Sequence, residues 1–503
     1  MIPLRGFDSP KYVEEQTRYI LERVEASDGR LYIECGGKLL YDKHAARVLP
    51  GFDENNKMKV FQALKDKLEV IICIYAGDIV RKKMRSDFGI SYDADVLKML
   101  DDFASYGIKC GKVVITRYDG QSAAVTFRTL LERRGIQVFT HPATPGYPAS
   151  IDTVVSEDGY GRNEYIPVEA PVVVVTAPGP GSGKLATCLS QMYHEARRGE
   201  SPGYSKLETF PIWNLPLDHP VNIAYEAATA DLGDVNQIDY FHLKAYGKVA
   251  VNYSRDLEAF PLLQKILLRI QKDTEAVYQS PTDMGVNRAG FAIYNDEVCR
   301  EAGRQEVIRR YFQAQAGYAM GLADGPTLKR SRSLMERLNL KETGRAVVLP
   351  ARRALEKARA ERKGKDGTAV GASLELPDGT IVTAHNSDLL HASSALLLNA
   401  LKSMAGIPAD QDLISKDIVQ SITAMKRDIL AGKGVSLNLD ETLIALAMSA
   451  SGDPAARKAL ENLPGLKGAE VHMTHIPSPG DISGLRKLGI NYTSDPVFPR
   501  RNL

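Results

Sequence analysis

Four consecutive valines, Val172–Val175, run through Thr176 into Ala177-Pro178-Gly179-Pro180-Gly181-Ser182-Gly183-Lys184, and this passage constrains the fold more than any other. An unbroken β-branched run suits a strand buried on both faces, as in the interior of a parallel sheet covered by helices. The residues after Lys184 are good helix formers, with apolar positions at Leu185, Leu189, Met192 and Tyr193. Strand, Gly-rich turn, lysine and helix together are how proteins hold phosphate: backbone N–H groups of the turn and of the helix N-terminus point at the anion.

The loop departs from the P-loop pattern G-x-x-x-x-G-K-[ST] in two places. Pro178 stands where the pattern has its first glycine, and Leu185 where it has the hydroxyl that ligates Mg²⁺. Thr187 is the nearest substitute hydroxyl. This is a degenerate P-loop, in which Gly179, Gly181, Ser182 and Gly183 would cradle phosphate and Lys184 would neutralise it. A plain Pro/Gly-rich turn joining a buried strand to a helix is the competing reading.

The rest of the chain from its start to about residue 256 alternates in the same way. A helix is predicted from Lys11 to Ala26, strands at 31–35, 70–75, 112–116, 136–140 and 172–176, and helices at 93–106 and 122–134. The fold class expected is therefore α/β, built on a mostly parallel sheet. Ligands of such sheets bind outside the carboxyl ends of the strands. The residues just past each run are polar or Gly-rich: Gly36-Gly37-Lys38, Gly77-Asp78, Arg117 with Asp119 and Gln121, His141, and the loop Gly179 to Lys184.

Between Pro211 and Asp256 functional groups are dense and periodicity is poor, with Trp213, His219, Asn222, Tyr225, Glu226, Asp231, Asp234, Asp239, His242, Arg255 and Asp256, and a further strand is expected at 249–253. Carboxylates near a phosphate loop can hold a divalent cation or orient an attacking group, which makes Asp78, Asp231 and Asp234 candidates. A solvated acidic loop is the alternative. His194-Glu195 begins the zinc-protease pattern, but its fifth position is Arg198, and no G-x-S-x-G elbow or zinc-finger spacing occurs.

After Leu257 the apolar spacing turns helical, at 257–278, 296–322 and 334–339, and a basic, Ala-rich segment from Arg345 to Lys365 reads as a solvated helix followed by a linker. A carboxyl-terminal domain begins near Thr368 with a hairpin around Pro377-Asp378-Gly379 and helices at 393–404 and 415–430. Since 503 residues exceed one core, three domains are expected: 1–256 α/β, 257–366 helical with linker, and 367–503 α/β. Val298, Val307, Ile308, Tyr311, Phe312, Tyr318, Met320 and Leu322 crowd one helix with apolar and aromatic surface, which points to a homo-oligomer; burial within the chain is the alternative.

Two stretches resemble an uncharacterised family of bacterial proteins, a domain-of-unknown-function family: Ala177 to Lys184 with Ala186 to Gln191, and Trp213 to Leu217 with His219 to Asn222 and Tyr225 to Asp231. The resemblance extends over essentially the whole chain and implies no activity. The final segment resembles the cytidine-deaminase-like fold, in which a strand ends in Pro-Cys-x-x-Cys before a helix. Here the cognate stretch is Pro477-Ser478-Pro479-Gly480-Asp481, and Asp440-Glu441 is the echo of the upstream His-x-Glu. The resemblance implies a deaminase-like scaffold without the zinc those enzymes use.

Charge narrows the partners. With 64 basic against 62 acidic residues the formal net charge is +2, which gives no argument for nucleic acid or an anionic membrane. The charged start of the chain, the absence of a long apolar run and five scattered cysteines point to the cytoplasm. The expected function is a nucleotide- or phosphate-using enzyme, for phosphoryl transfer or ATP-driven ligation. Lys184, Asp231 and Asp234 are its candidate catalytic residues. Gly179, Gly181, Ser182, Gly183, Lys184, Thr187 and Asp78 would bind the cofactor, ATP or another nucleotide with Mg²⁺. The alternative is a non-catalytic scaffold oligomer that binds a phosphorylated metabolite.

Overall fold

The computed structural model describes residues 5–27, 29–85, 89–271, 277–430 and 435–499. The chain divides into two compact units: Arg5–Glu226 with Asp234–Gly303, and Ala227–Gly233 with Arg304–Leu503.

The first unit is α/β, and its six-stranded sheet is parallel throughout. In chain order the strands are β1 Leu31–Cys35, β2 Leu68–Tyr75, β3 Lys109–Thr116, β4 Gln137–His141, β5 Val172–Thr176 and β6 Gly203–Leu207. Their spatial order is β4-β3-β2-β5-β1-β6. All five residues of β5 are buried, as an interior strand requires. Alternate residues serve the two faces. Ile71, Cys73, Val173 and Val175, with Tyr32 of β1, pack against Cys188, Leu189 and Met192 of the helix Lys184–Arg197 and against Phe260, Leu263, Ile266 and Leu267 of the helix Ser254–Gln271. The helix Tyr92–Ser105 covers β2 and β3 with Val96, Met99, Leu100 and Phe103.

The helix Ser254–Gln271, which the helical periodicity after Leu257 announces, is thus part of the sheet's own core. Periodicity reports that a face is buried, not what buries it. Strand β6 has no apolar run to reveal it, because it is an edge strand in which only Tyr204, Ser205 and Leu207 are buried. The strand expected near residue 249 is Val251–Tyr253, paired antiparallel with Asn236–Ile238 outside the main sheet.

In the second unit, β7 Gly371–Glu375 and β8 Ile381–His385 form the hairpin expected around Pro377-Asp378-Gly379. β9 Glu470–Met473 pairs antiparallel with β7, and β10 Asn491–Ser494 pairs parallel with β9. Helices Val348–Ala360 and Ala392–Ala405 pack on the hairpin. The long helix Asp296–Ala319 begins in the first unit and continues into the second. Val307, Ile308 and Phe312 on it are buried inside the chain, Phe312 with its ring 4.8 Å from that of His472, whereas Tyr318, Met320 and Leu322 are exposed. Its crowded apolar face is therefore covered largely by the chain itself. Among the described residues, no helix is long and apolar enough to cross a membrane.

His141, the last residue of β4, is buried, and its Nε2 lies 3.0 Å from the Glu164 carbonyl oxygen. Burial pushes its pKa down to about 4, against the opposing pull of that hydrogen bond. An imidazole kept neutral in the fold takes up a proton sooner when unfolded, so stability should fall as pH drops from about 6.5 toward 4. We expect roughly 2–3 kcal/mol of such loss between pH 7 and pH 4.5, at 1.36 kcal/mol per unit. Urea unfolding across this range should show the slope in the wild type and a shallower one in His141→Gln.

Candidate functional site

Because every strand of the first sheet runs the same way, the carboxyl ends share one edge. The chain moves outward from β2 through β3 to β4, and from β5 the next strand, β6, lies on the opposite side. Neighbouring strands β2 and β5 therefore flank the point where the winding reverses, where open α/β sheets form their ligand crevice. The loop 177–183 leaves β5 there, and the short helix Ala76–Val80 leaves β2 beside it.

The loop's carbonyl groups are turned inward. Ser182 Oγ donates to the Gly179 carbonyl at 3.0 Å, Thr116 Oγ1 donates to the Ser182 carbonyl at 2.8 Å, and the Arg117 guanidinium donates to the Gly181 carbonyl. Gly183 caps the helix with φ of 90° and, lacking a side chain, leaves the N–H groups of the first turn without a side-chain acceptor. Lys184 is the first residue of this helix and half-buried, and its ammonium has no hydrogen-bond or salt-bridge partner among the described residues. Its charge is felt by the thiols of Cys35 and Cys73, which burial pushes up to about 11 and about 12.

Two aromatic rings near the loop carry cations. Arg117, itself at φ 49°, lies 3.8 Å from the centre of the Tyr75 ring, and Arg81 lies 5.8 Å from the same ring. Lys83 lies 4.9 Å from the centre of the Tyr92 ring, and the Tyr92 hydroxyl sits against Gly179, where a Cβ would be only 2.1 Å from it. Asp78 is buried; it accepts from Arg81, and Lys83 Nζ is 3.9 Å away. With cations for partners, Asp78 organises Arg81 and Lys83. The sequence singled out Arg117 and Asp78 but not Arg81, Lys83, Tyr75 or Tyr92. Their common signal was position, just past the apolar run of β2 or at the start of a helix.

The remaining candidates are dispersed. Thr187 is fully buried and accepts from the Cys73 thiol at 3.4 Å, so its hydroxyl faces the core rather than the loop. Helical geometry explains this, because three residues carry a side chain from the loop side to the sheet side. Asp234 is buried and paired with Arg255 at 3.1 Å. Asp231 is exposed and belongs to the second unit, whereas the loop belongs to the first. Among the described residues no group of three or more His, Cys, Asp or Glu is placed to hold a metal ion.

A second group of charges lies at the ends of β1 and β6. Lys206 Nζ is 2.5 Å from Asp256 Oδ2 and 3.3 Å from Glu208 Oε2. Burial alone would lower the Lys206 pKa, but Asp256, Glu208 and Glu34 reverse that and raise it. Burial raises the Glu208 carboxyl against the pull of Lys206, with Asp256 and Glu34 adding to the rise. Beside them, Lys57 Nζ donates to the carbonyl groups of Gly36 and Lys38 at 3.3 and 3.0 Å and fixes the turn after β1.

In the second unit, Asp481 gathers donors: Ser393 Oγ at 2.6 Å, Ser478 Oγ at 2.7 Å, His391 Nδ1 at 2.8 Å and the Leu439 N–H at 3.0 Å. Ser478 and Asp481 also close a capping box on the helix Pro479–Lys487. The histidine that meets this stretch is His391. Glu441, in the expected echo, instead closes the capping box of the helix Leu439–Ser449. Burial would raise the Asp481 pKa, but the His391 and serine hydrogen bonds outweigh it and hold the carboxyl below its usual range.

Two variant sets test these geometries. Gly183→Ala meets a positive φ and a Cβ only 2.8 Å from Thr116 Cγ2, whereas Gly181→Ala at φ 75° meets open space. Denaturant unfolding should show a loss of about 2–3 kcal/mol for the first and about 1 kcal/mol for the second. Asp481→Asn leaves one acceptor oxygen for five donors, the Ser478 N–H of the capping box included, and should cost about 2–4 kcal/mol at pH 7. Elemental analysis of the wild type should find no stoichiometric zinc.

The family model described as Domain of unknown function DUF1846, N-terminal, matches residues 5–339, and the one described as Domain of unknown function DUF1846, C-terminal, matches residues 343–503. Curated relatives called UPF0371 protein, from Clostridium botulinum strains Alaska E43, Eklund 17B and Langeland, are each 54% identical over 498 residues, 99% of this chain and 99% of theirs.

Proposed function

The chain belongs to this DUF1846 family of unknown function, and from its geometry we propose that it is an enzyme acting on a phosphorylated small molecule, whose phosphate sits on the loop Gly179 to Lys184. One observation carries the reading: Lys184 opens the helix behind a loop whose helix N–H groups have no side-chain acceptor, Arg117 donates to that loop at Gly181, and Arg81 and Lys83 lie on the neighbouring Tyr75 and Tyr92 rings with Asp78 the carboxylate beside them, all at the topological switch point. Like charges gathered around one loop repel each other, and a doubly charged phosphate relieves that repulsion while accepting from the N–H groups.

Within this reading Gly179, Gly181, Ser182 and Gly183 let the anion approach the backbone, Lys184 and Arg117 neutralise it, and Asp78 holds Arg81 and Lys83 in place. ATP or another nucleotide fits the loop through its phosphates. The buried hydroxyl of Thr187 and the apolar Leu185 favour use of phosphate as a binding handle over Mg²⁺-assisted transfer of the terminal phosphoryl group. The charges at the ends of β1 and β6, Glu34, Lys206, Glu208 and Asp256, supply the groups for proton transfer to or from the rest of the ligand.

Titration calorimetry with inorganic phosphate at low salt should show binding to the wild type. Lys184→Ala should weaken it by roughly 1–3 kcal/mol, the worth of one charge-assisted hydrogen bond. Phosphate affinity unchanged in Lys184→Ala would remove the loop from the site.

A further inference from the structure

We infer that the carboxyl ends of β1 and β6 form the hydroxyl-recognition half of this site, and that the ligand is a phosphorylated sugar. The inference rests on the phosphate reading of the loop and adds what the phosphate is attached to.

Register joins the two halves. Glu34 of β1 lies beside Val175 of β5 on one side and Lys206 of β6 on the other. The loop starts two residues after Val175, and adjacent strands are about 4.8 Å apart. The charged group therefore begins within roughly 5–10 Å of the loop, about the span from a sugar phosphate to its ring hydroxyls. The charges of Lys57, Lys184, Glu208 and Glu34 all act on the Cys35 thiol at the end of β1.

The chemistry of the group selects its ligand. A second phosphate would want donors only, and an ammonium would want acceptors only. Here both kinds meet. Glu34 accepts from the Tyr204 hydroxyl at 2.8 Å, Asp256 and Glu208 bracket Lys206, and Glu208 lies over Gly36, where a Cβ would come within 2.1 Å of its Oε1. The side chains of Lys206, Glu208 and Asp256 keep 17%, 24% and 17% of their exposure, so a ligand reaches them. Alcohol groups donate and accept at once and satisfy such a mixed set.

Tyr253 points to the same ligand independently. It is 3% exposed, its hydroxyl has no hydrogen-bond partner among the described residues, and it lies within the influence of Tyr225, Glu208, Asp256 and Asp234. A buried hydroxyl left unpaired is costly, and a ligand hydroxyl would pair it. Its ring lies 5.7 Å from that of Tyr225, which stacks on Phe210 at 4.9 Å, so packed aromatic rings hold the Tyr253 side chain in place.

The test compares inorganic phosphate, ribose 5-phosphate and glucose 6-phosphate by titration calorimetry on the full chain, in the wild type and in Tyr253→Phe and Glu34→Gln. At least one sugar phosphate should bind ten-fold or more tighter than inorganic phosphate. Either variant should erase most of that gain and leave inorganic phosphate unchanged, a pattern that misfolding would not produce. Inorganic phosphate bound with sugar phosphates no tighter would overturn the sugar assignment and leave the phosphate loop standing. Binding of neither would overturn both.

Discussion

The parallel hydrogen-bonded pairing of β2 with β5 is the contact on which the candidate site depends. It places two strands with opposite onward connections side by side, which opens the crevice above them and brings the loop after β5 next to Asp78 and Tyr75 from β2. The pairing persists because both strands are apolar along most of their length and are buried under helices on both faces. An antiparallel arrangement would have sent the same polar segments to opposite edges.

Around that crevice the charges are organised in two tiers. Beside the loop, aromatic rings support the cations: Tyr75 carries Arg81 and Arg117, and Tyr92 carries Lys83 while its hydroxyl limits the space at Gly179. A guanidinium held over a ring keeps its donors in the ring's periphery, where Arg81 meets Asp78 and Arg117 meets the Gly181 carbonyl. Two strands from β5, on β6, carboxylates enclose Lys206. A field that changes sign over a short distance fits a ligand with one strongly anionic end and a polar, uncharged remainder.

The second unit uses similar residues for a different end. Asp481 accepts from two serine hydroxyls, a histidine and two backbone N–H groups, which ties the helix Pro479–Lys487 to two other helix starts. With its oxygens occupied this way, the carboxylate works as a structural joint.

Much of this was legible in the chain. The valine run, the Gly-rich loop and the helix after it establish a buried strand, a turn and a helix, because burial on both faces and positive φ leave few residue types to choose from. Polar groups following each apolar run were readable as one edge of a parallel sheet. Strand β6, the charges Glu34, Lys206 and Glu208, and the cations Arg81 and Lys83 were not, since an edge strand lacks an apolar run and a lone charge within a strand has no periodicity to mark it. Tertiary structure alone decided which of the candidates meet: Thr187 turned to the core by helical rotation, Asp231 in the other unit, Asp78 given to arginine and lysine. Local sequence dictates backbone shape because its causes are local, whereas the neighbours of a side chain are chosen by strand order, which pairs residues more than a hundred positions apart.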